Sequence, residues 1–323
     1  MESPNLFSPD LMVENILYLD GLTRAGKFLL GKTVSNLKRV EYFQFQKIIE
    51  NLPAFNYLGI MSEADAVAYL RICLNMYIYE RAIGRNMNLR TSDGSCVLNS
   101  SEYHVLEERI SKTDGMEAIE IFKAQRRYPA FLTHECMPHI DFLFKATPQM
   151  KMINIRRHPV DVISSWYIRG WGERFGKDPL AFDPCINSDG EPAPWFGRDW
   201  QHNYIKMSPV DRTIKSVNTL YCLDKEAFKS FSKKGEQILI IAYEDFCSRP
   251  NHVIDQMKQF LNTDSFSNMD EVLAREGCPR EIPLDSRREK FTKLKQNAGD
   301  SLIEELVEIS REYEKTWNLK PFI

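Results

Sequence analysis

Three groups of residues in this chain have types and spacings suited to chemistry on a phosphorylated ligand. The first is Gly21, Arg24, Gly26 and Lys27, gathered into one loop of the segment ILYLDGLTRAGKFLL, residues 16–30. Glycines let a backbone fold back until its N–H groups converge, a helix starting at the loop adds roughly half a positive charge, and two cations share the same turn. An anion site is the expectation. The spacing from Gly21 to Gly26-Lys27 nearly fits the triphosphate loop G-x-x-x-x-G-K-[ST], but Phe28 stands where a hydroxyl should bind magnesium. The predicted phosphate cradle therefore lacks its metal ligand.

The second group lies in MKMINIRRHPVDVISSWY, residues 150–167, where Arg157 ends an apolar run, Pro159 opens a helix and Ser165 follows Arg157 by eight positions. A hydroxyl one to two turns into that helix can join an arginine at the strand end on one phosphate. The plainer alternative is a surface ion pair between Arg157 and Asp161. The third group is PAFLTHECMPHI, residues 129–140, where His134 follows an apolar run. Histidine titrates near neutral pH, so one at a strand end on the ligand-bearing edge can serve as a general base. Glu135 and His139 compete for that role, and a structural histidine is the other reading.

The elements that must position these residues are legible as a repeat of strand, loop and helix. Ile16–Leu19, Ala130–Thr133, Met152–Ile155 and Ile238–Ala242 read as buried strands, with helical patterns at 26–40, Val160–Tyr167 and Val253–Leu261 after the first, third and fourth. The fold class this predicts is α/β, a three-layer, doubly wound, mostly parallel sheet carrying a phosphate-binding strand-loop-helix. Ligands in such sheets sit beyond the carboxyl ends of the strands. Residues 62–125 read as mostly helical with a polar interruption at 91–101. Residues 170–212 read as a long irregular stretch where, with Trp166 just before it, four of the five tryptophans lie. Those rings either stack on an acceptor or pin the loop to the core. The C-terminus reads as a helix with a Ser301/Glu304 capping box and a stripe of Leu302, Leu306, Ile309, Tyr313 and Trp317.

A chain of 323 residues, 43% hydrophobic and 27% charged, buries a substantial core, and its net charge of −3 offers no general attraction to nucleic acid or anionic membrane. Local basic clusters remain at Arg126-Arg127, Arg156-Arg157, Lys233-Lys234 and Arg287-Arg288 with Lys290, Lys293 and Lys295. The start, MESPNLFSPDLMVE, has no basic region followed by an apolar stretch, and no segment offers ~20 uninterrupted apolar residues. A cytoplasmic protein is expected. Seven scattered cysteines without zinc spacing read as reduced, mostly buried thiols.

Taken together and in order, the three segments resemble the sulfotransferases that use 3′-phosphoadenosine 5′-phosphosulfate (PAPS). Their 5′-phosphosulfate loop, [KR]-S-G-T-T-x-L, is similar to Arg24-Ala25-Gly26-Lys27-Phe28-Leu29-Leu30, with Lys27 and Phe28 replacing two threonines. Their 3′-phosphate motif, R-[ND]-P-x-[DE]-x-x-x-S, is similar to the run from Arg157 to Ser165. Leu132-Thr133-His134 resembles the K-T-H of the cytosolic branch, and residues 238–262 resemble the family's Y-E-D-L segment. Arg287 and Arg288 stand where the family often has a late R-K-G on the 3′-phosphate, here without the glycine.

The resemblance implies one sulfotransferase-like domain over 1–323, with a long acceptor-side or lid segment at about 168–212. It implies PAPS as donor, adenosine 3′,5′-bisphosphate as product, no metal, and transfer to a hydroxyl in preference to an amine on a small-molecule or saccharide acceptor. His134 would be the base, with Arg24 and Lys27 stabilising charge on the departing phosphate. Arg24, Ala25, Gly26, Lys27, Phe28, Leu29, Arg157, Ser165, Arg287 and Arg288 would hold the nucleotide. Two rivals stand beside it. One is a P-loop kinase of a small molecule using ATP and magnesium, with Glu244 or Asp245 as the metal carboxylate; the other is an inactive nucleotide-binding homologue. The acceptor and the oligomeric state are left open.

Overall fold

The computed structural model describes residues 5–111, 115–232 and 234–323; Met1–Pro4, residues 112–114 within the expected helical region, and Lys233 of the Lys233-Lys234 pair lie outside them. Four apolar runs form parallel strands β1 (Leu17–Asp20), β2 (Ala130–Leu132), β3 (Lys151–Arg156) and β6 (Ile238–Ala242), in the spatial order β2-β1-β3-β6. The register pairs Leu17 with Ala130 and Lys151, and Arg156 with Ala242. Side chains alternate along each strand, so both faces must be covered. Leu17, Leu19, Ile153 and Ile241 enter one apolar cluster, while Tyr18, Phe131, Met152 and Ile238 enter a second. This is the α/β parallel architecture expected.

The chain leaves β1 toward β2 on one side and leaves β3 toward β6 on the other. Connections diverging from neighbouring strands open a crevice at their carboxyl ends, the place where such sheets bind ligands. The loop 21–26 and the corner at Arg157 meet there.

Several boundaries differ from the sequence reading. The first helix, Lys27–Val34, stops short of residue 40, because Val40 and Gln44 form parallel bridges beside Tyr128 and Phe131. Residues 170–212 are not irregular: Cys185–Ser188 (β4) and Glu191–Pro194 (β5) form an antiparallel hairpin about Asp189-Gly190, both at positive φ. An Asp-Gly pair between short strands is a strong hairpin signal. The Ser301/Glu304 capping box does not form. The C-terminal helix begins at Asp300 after Gly299, which has no side-chain cap and donates its N–H to Asp211 at 2.9 Å. Its stripe nevertheless faces inward through Leu306 and Tyr313. All seven cysteines are free. Among the described residues no helix is long and apolar enough to cross a membrane.

Candidate active site

The phosphate-type loop is shaped by two close approaches. A Cβ on Gly21 (φ +149°) would lie 2.4 Å from the carbonyl oxygen of Ile155, and one on Gly26 (φ +108°) would lie 2.3 Å from the ring of Tyr243. Only glycine lets the loop lie on the ends of β3 and β6. Arg24 also sits at positive φ, +75°. That strained backbone is held from outside: Arg157 donates to the Arg24 carbonyl at 3.2 Å, and Trp166 Nε1 donates to the Thr23 carbonyl at 2.7 Å. Ala25 and Leu29 turn their side chains into the core. Only their backbone is left to face the crevice, and the Ala25 N–H already donates to the Leu22 carbonyl at 2.9 Å.

Side chains from both corners converge. Arg24 Nε donates to Ser165 Oγ at 3.2 Å, and Arg169, one turn further along the helix Pro159–Ile168 at its C-cap, donates to the same oxygen at 3.0 Å. Arg157 lies over the Tyr243 ring at 4.5 Å, with its Nε buried and unpartnered. Among the described residues no carboxylate pairs with Arg24, Arg157 or Arg169. The Arg157–Asp161 ion pair does not form, because Asp161 is fully buried on Arg287 at 3.0 Å and Lys290 at 2.6 Å. Burial, and then the guanidinium groups of Arg169 and Arg157, lower the pKa of Arg24. Like charges gathered with no carboxylate paired to them make a receptor for anions.

Lys27 is buried in the loop, its Nζ donating to the Gly21 carbonyl at 2.6 Å, and burial lowers its pKa against the pull of Glu135 and Asp20. Phe28 turns its exposed ring onto Phe43 and Phe45, with centroids 6.2 and 5.8 Å away. Arg287 and Arg288 are not brought to the cluster. Arg287 is buried against Asp161 and Glu244, while Arg288 donates to the Phe322 carbonyl at 2.8 Å and to Asp285 at 3.0 Å. Glu244 also accepts from His158 N–H at 3.0 Å and Tyr313 hydroxyl at 2.6 Å, and Asp245 pairs with Arg249 at 2.6 Å. Glu244 and Asp245, the two alternatives for a kinase's magnesium carboxylate after β6, are thus both paired with other groups.

The three candidate bases separate clearly. His134 stays partly accessible, its side chain 23% exposed, with Nδ1 2.9 Å from Glu50 Oε1 and its ring stacked on Phe45. Burial raises the pKa of Glu50, but His134 and Lys47 outweigh it and hold the carboxyl near 2. Lys47 in turn bridges Glu50 at 2.5 Å and Asp183 at 2.8 Å, tying the 168–212 segment to the histidine. Glu135 accepts the Thr23 N–H at 2.5 Å, and burial raises its pKa against Lys27 and His134. His139 is buried against Trp195 and Tyr57, where desolvation pushes its pKa down to about 4. Trp166 and Trp195 are buried, and Trp171 and Trp200 pack against the same core. The tryptophans thus pin the segment.

Glu50, Asp20, Arg169 and Tyr243 are the site residues that sequence reasoning missed as individuals. Asp20 is wholly buried and accepts from Thr133 Oγ1, the Cys136 and Met137 N–H groups and Asn154 Nδ2, joining the ends of β1, β2 and β3. Arg169 was findable, four positions beyond Ser165 on one helix. Glu50 had no local signal.

Residues 54–276, about two thirds of the chain, match the family described as the sulfotransferase domain. The chain belongs to that family of transferases. The loop at 21–30 precedes the matched range. Among solved structures, the sulfotransferase domain from the curacin biosynthetic pathway is similar at 10% identity and TM-score 0.51, covering 95% of this chain and 99% of that one. The sulfotransferase domain from the Synechococcus PCC 7002 olefin synthase shares 15% identity at TM-score 0.43, over 93% of this chain and 86% of that one. Sulfotransferase STF9 from Mycobacterium avium shares 12% identity at TM-score 0.49, over 96% and 78%. The first likeness agrees with the α/β fold described above. No curated protein matches.

Proposed function

We propose that this chain is a single-domain, PAPS-dependent sulfotransferase that moves a sulfuryl group to a hydroxyl of a small-molecule or saccharide acceptor. One observation carries the reading: among the described residues, Arg24, Arg157 and Ser165 converge beside a glycine loop with no carboxylate paired to either arginine. The buried, unpartnered Nε of Arg157 fits an anionic ligand.

The donor supplies an activated sulfuryl group on a phosphate leaving group. Loop N–H groups, Arg24 and Lys27 hold the 5′ end and counter the charge that builds there, which needs no metal. Arg157 and Ser165 hold the 3′-phosphate, the group that separates this donor from ATP. His134 takes the acceptor's proton at Nε2, because Nδ1 is committed to Glu50. Glu50 stays ionised, fixes the ring and stabilises the imidazolium. Glu135, bonded to the loop, and His139, buried and held neutral, are less suited to that transfer.

Thermal unfolding tests the reading. Adenosine 3′,5′-bisphosphate without metal should raise the unfolding temperature, whereas stabilisation by ATP that requires magnesium, with indifference to the bisphosphate, would overturn it in favour of a kinase. Mass spectrometry of products from phenols, steroids, saccharides and lipids then identifies the acceptor.

A further inference from the structure

We infer that Arg169 is a ligand for the 3′-phosphate, supplying the second cation that Arg287 and Arg288 do not; this rests on the donor reading above. A dianionic phosphate held by Arg157 and Ser165 alone would meet one guanidinium and one hydroxyl. Of the late basic run, Arg287 is held by two buried carboxylates, Arg288 turns to Asp285 and a carbonyl, and Lys290 pairs with Asp161 at 2.6 Å. Arg169 stands where the second charge is required. Its guanidinium reaches Ser165 Oγ at 3.0 Å, while Arg24 reaches that oxygen from the other corner at 3.2 Å.

The bland role for Arg169 is capping its own helix, for it also donates to the Ser165 carbonyl at 3.4 Å. Capping alone does not account for the surroundings. A helix cap gains nothing from Arg24 and Arg157 nearby: Arg24 reaches the same serine oxygen and Arg157 reaches the Arg24 carbonyl, so three guanidinium groups crowd together, and after burial the charges of Arg169 and Arg157 further lower the pKa of Arg24. Spacing supports the same conclusion: i to i+4 places Arg169 and Ser165 on one face of the helix, so motif serine and extra arginine present together.

Isothermal titration of the full chain with adenosine 3′,5′-bisphosphate and with adenosine 5′-monophosphate tests this in wild type, Arg169→Ala and Arg169→Lys. The expected result is a loss of about tenfold or more in bisphosphate affinity for Arg169→Ala, as for a charge-assisted contact, with partial recovery in Arg169→Lys. Monophosphate affinity should change by less than about threefold, since that ligand lacks the 3′ group. Wild-type binding that Arg169→Ala leaves intact overturns the inference alone. An equal loss for both nucleotides overturns the assignment to the 3′ end. Failure of wild type to bind the bisphosphate refutes the donor reading itself, and the inference falls with it. An unchanged unfolding temperature for unliganded Arg169→Ala separates lost affinity from lost structure.

Discussion

His134 Nδ1 lies 2.9 Å from Glu50 Oε1, and the same oxygen accepts the His134 backbone N–H at 2.9 Å. One carboxylate thus fixes both the place and the orientation of the ring. Replacing His134 with Ala should lower turnover by ~10²-fold or more while leaving bisphosphate affinity nearly intact. Glu50→Gln keeps the shape but loses the charge, and a fall in kcat of roughly ten- to a hundredfold with little change in donor affinity is expected. Persistent turnover in His134→Ala would move the proton transfer to Glu135.

Arg157 spans the two corners of the site, from the end of β3 to the Arg24 carbonyl. Arg157→Ala should weaken bisphosphate binding by about 1.5–3 kcal/mol, the scale of a lost charge-assisted hydrogen bond. Titration calorimetry at fixed salt measures it, and unchanged affinity would remove Arg157 from the nucleotide site.

Gly26 allows the loop to lie on the Tyr243 ring, at a φ of +108°. Gly26→Ala adds a methyl where the ring already stands and should cost roughly 1–3 kcal/mol of stability. It should also abolish thermal stabilisation by the bisphosphate. A variant that folds and responds to the nucleotide like wild type would show that the loop relaxes freely.

Glu41 joins two chain segments far from the site by accepting from Arg109 at 2.8 and 3.0 Å and from Arg127. Burial raises its pKa, but the two guanidinium groups outweigh it and bring the carboxyl from 4.5 to about 2. A depressed carboxylate stabilises the fold above its unfolded pKa, and that stability drains as pH falls from about 4.5 toward 2, amounting to on the order of 3 kcal/mol. Glu41→Gln should therefore be clearly less stable than wild type at pH ~6, with most of the gap gone near pH ~2.5. Denaturant unfolding across that range gives the answer; a gap independent of pH would contradict it.

The parallel sheet was legible because its strands are short apolar runs bounded by breakers, and burial on both faces leaves that pattern in the chain. The hairpin at Asp189-Gly190 carries an Asp-Gly turn signal in the sequence, but its strands are only four residues each and lack an apolar alternation, so 170–212 reads as irregular. The capping box at Ser301 failed for another reason. Asp211, 88 positions away, reaches Gly299 N–H from a second helix, and a tertiary partner overrides a local motif.

By itself the sequence determined the strand-to-helix corners and the residue types they carry, since glycine, arginine, serine and histidine at fixed spacings within a segment constrain the backbone locally. Only tertiary structure decided which charges are left over. Asp161 could have neutralised Arg157; folding gave it to Arg287 and Lys290 instead. Glu50, 84 positions from His134, became the partner of the base through packing alone. Ion pairing depends on distances between side chains that the chain brings together from afar, and no local pattern records them.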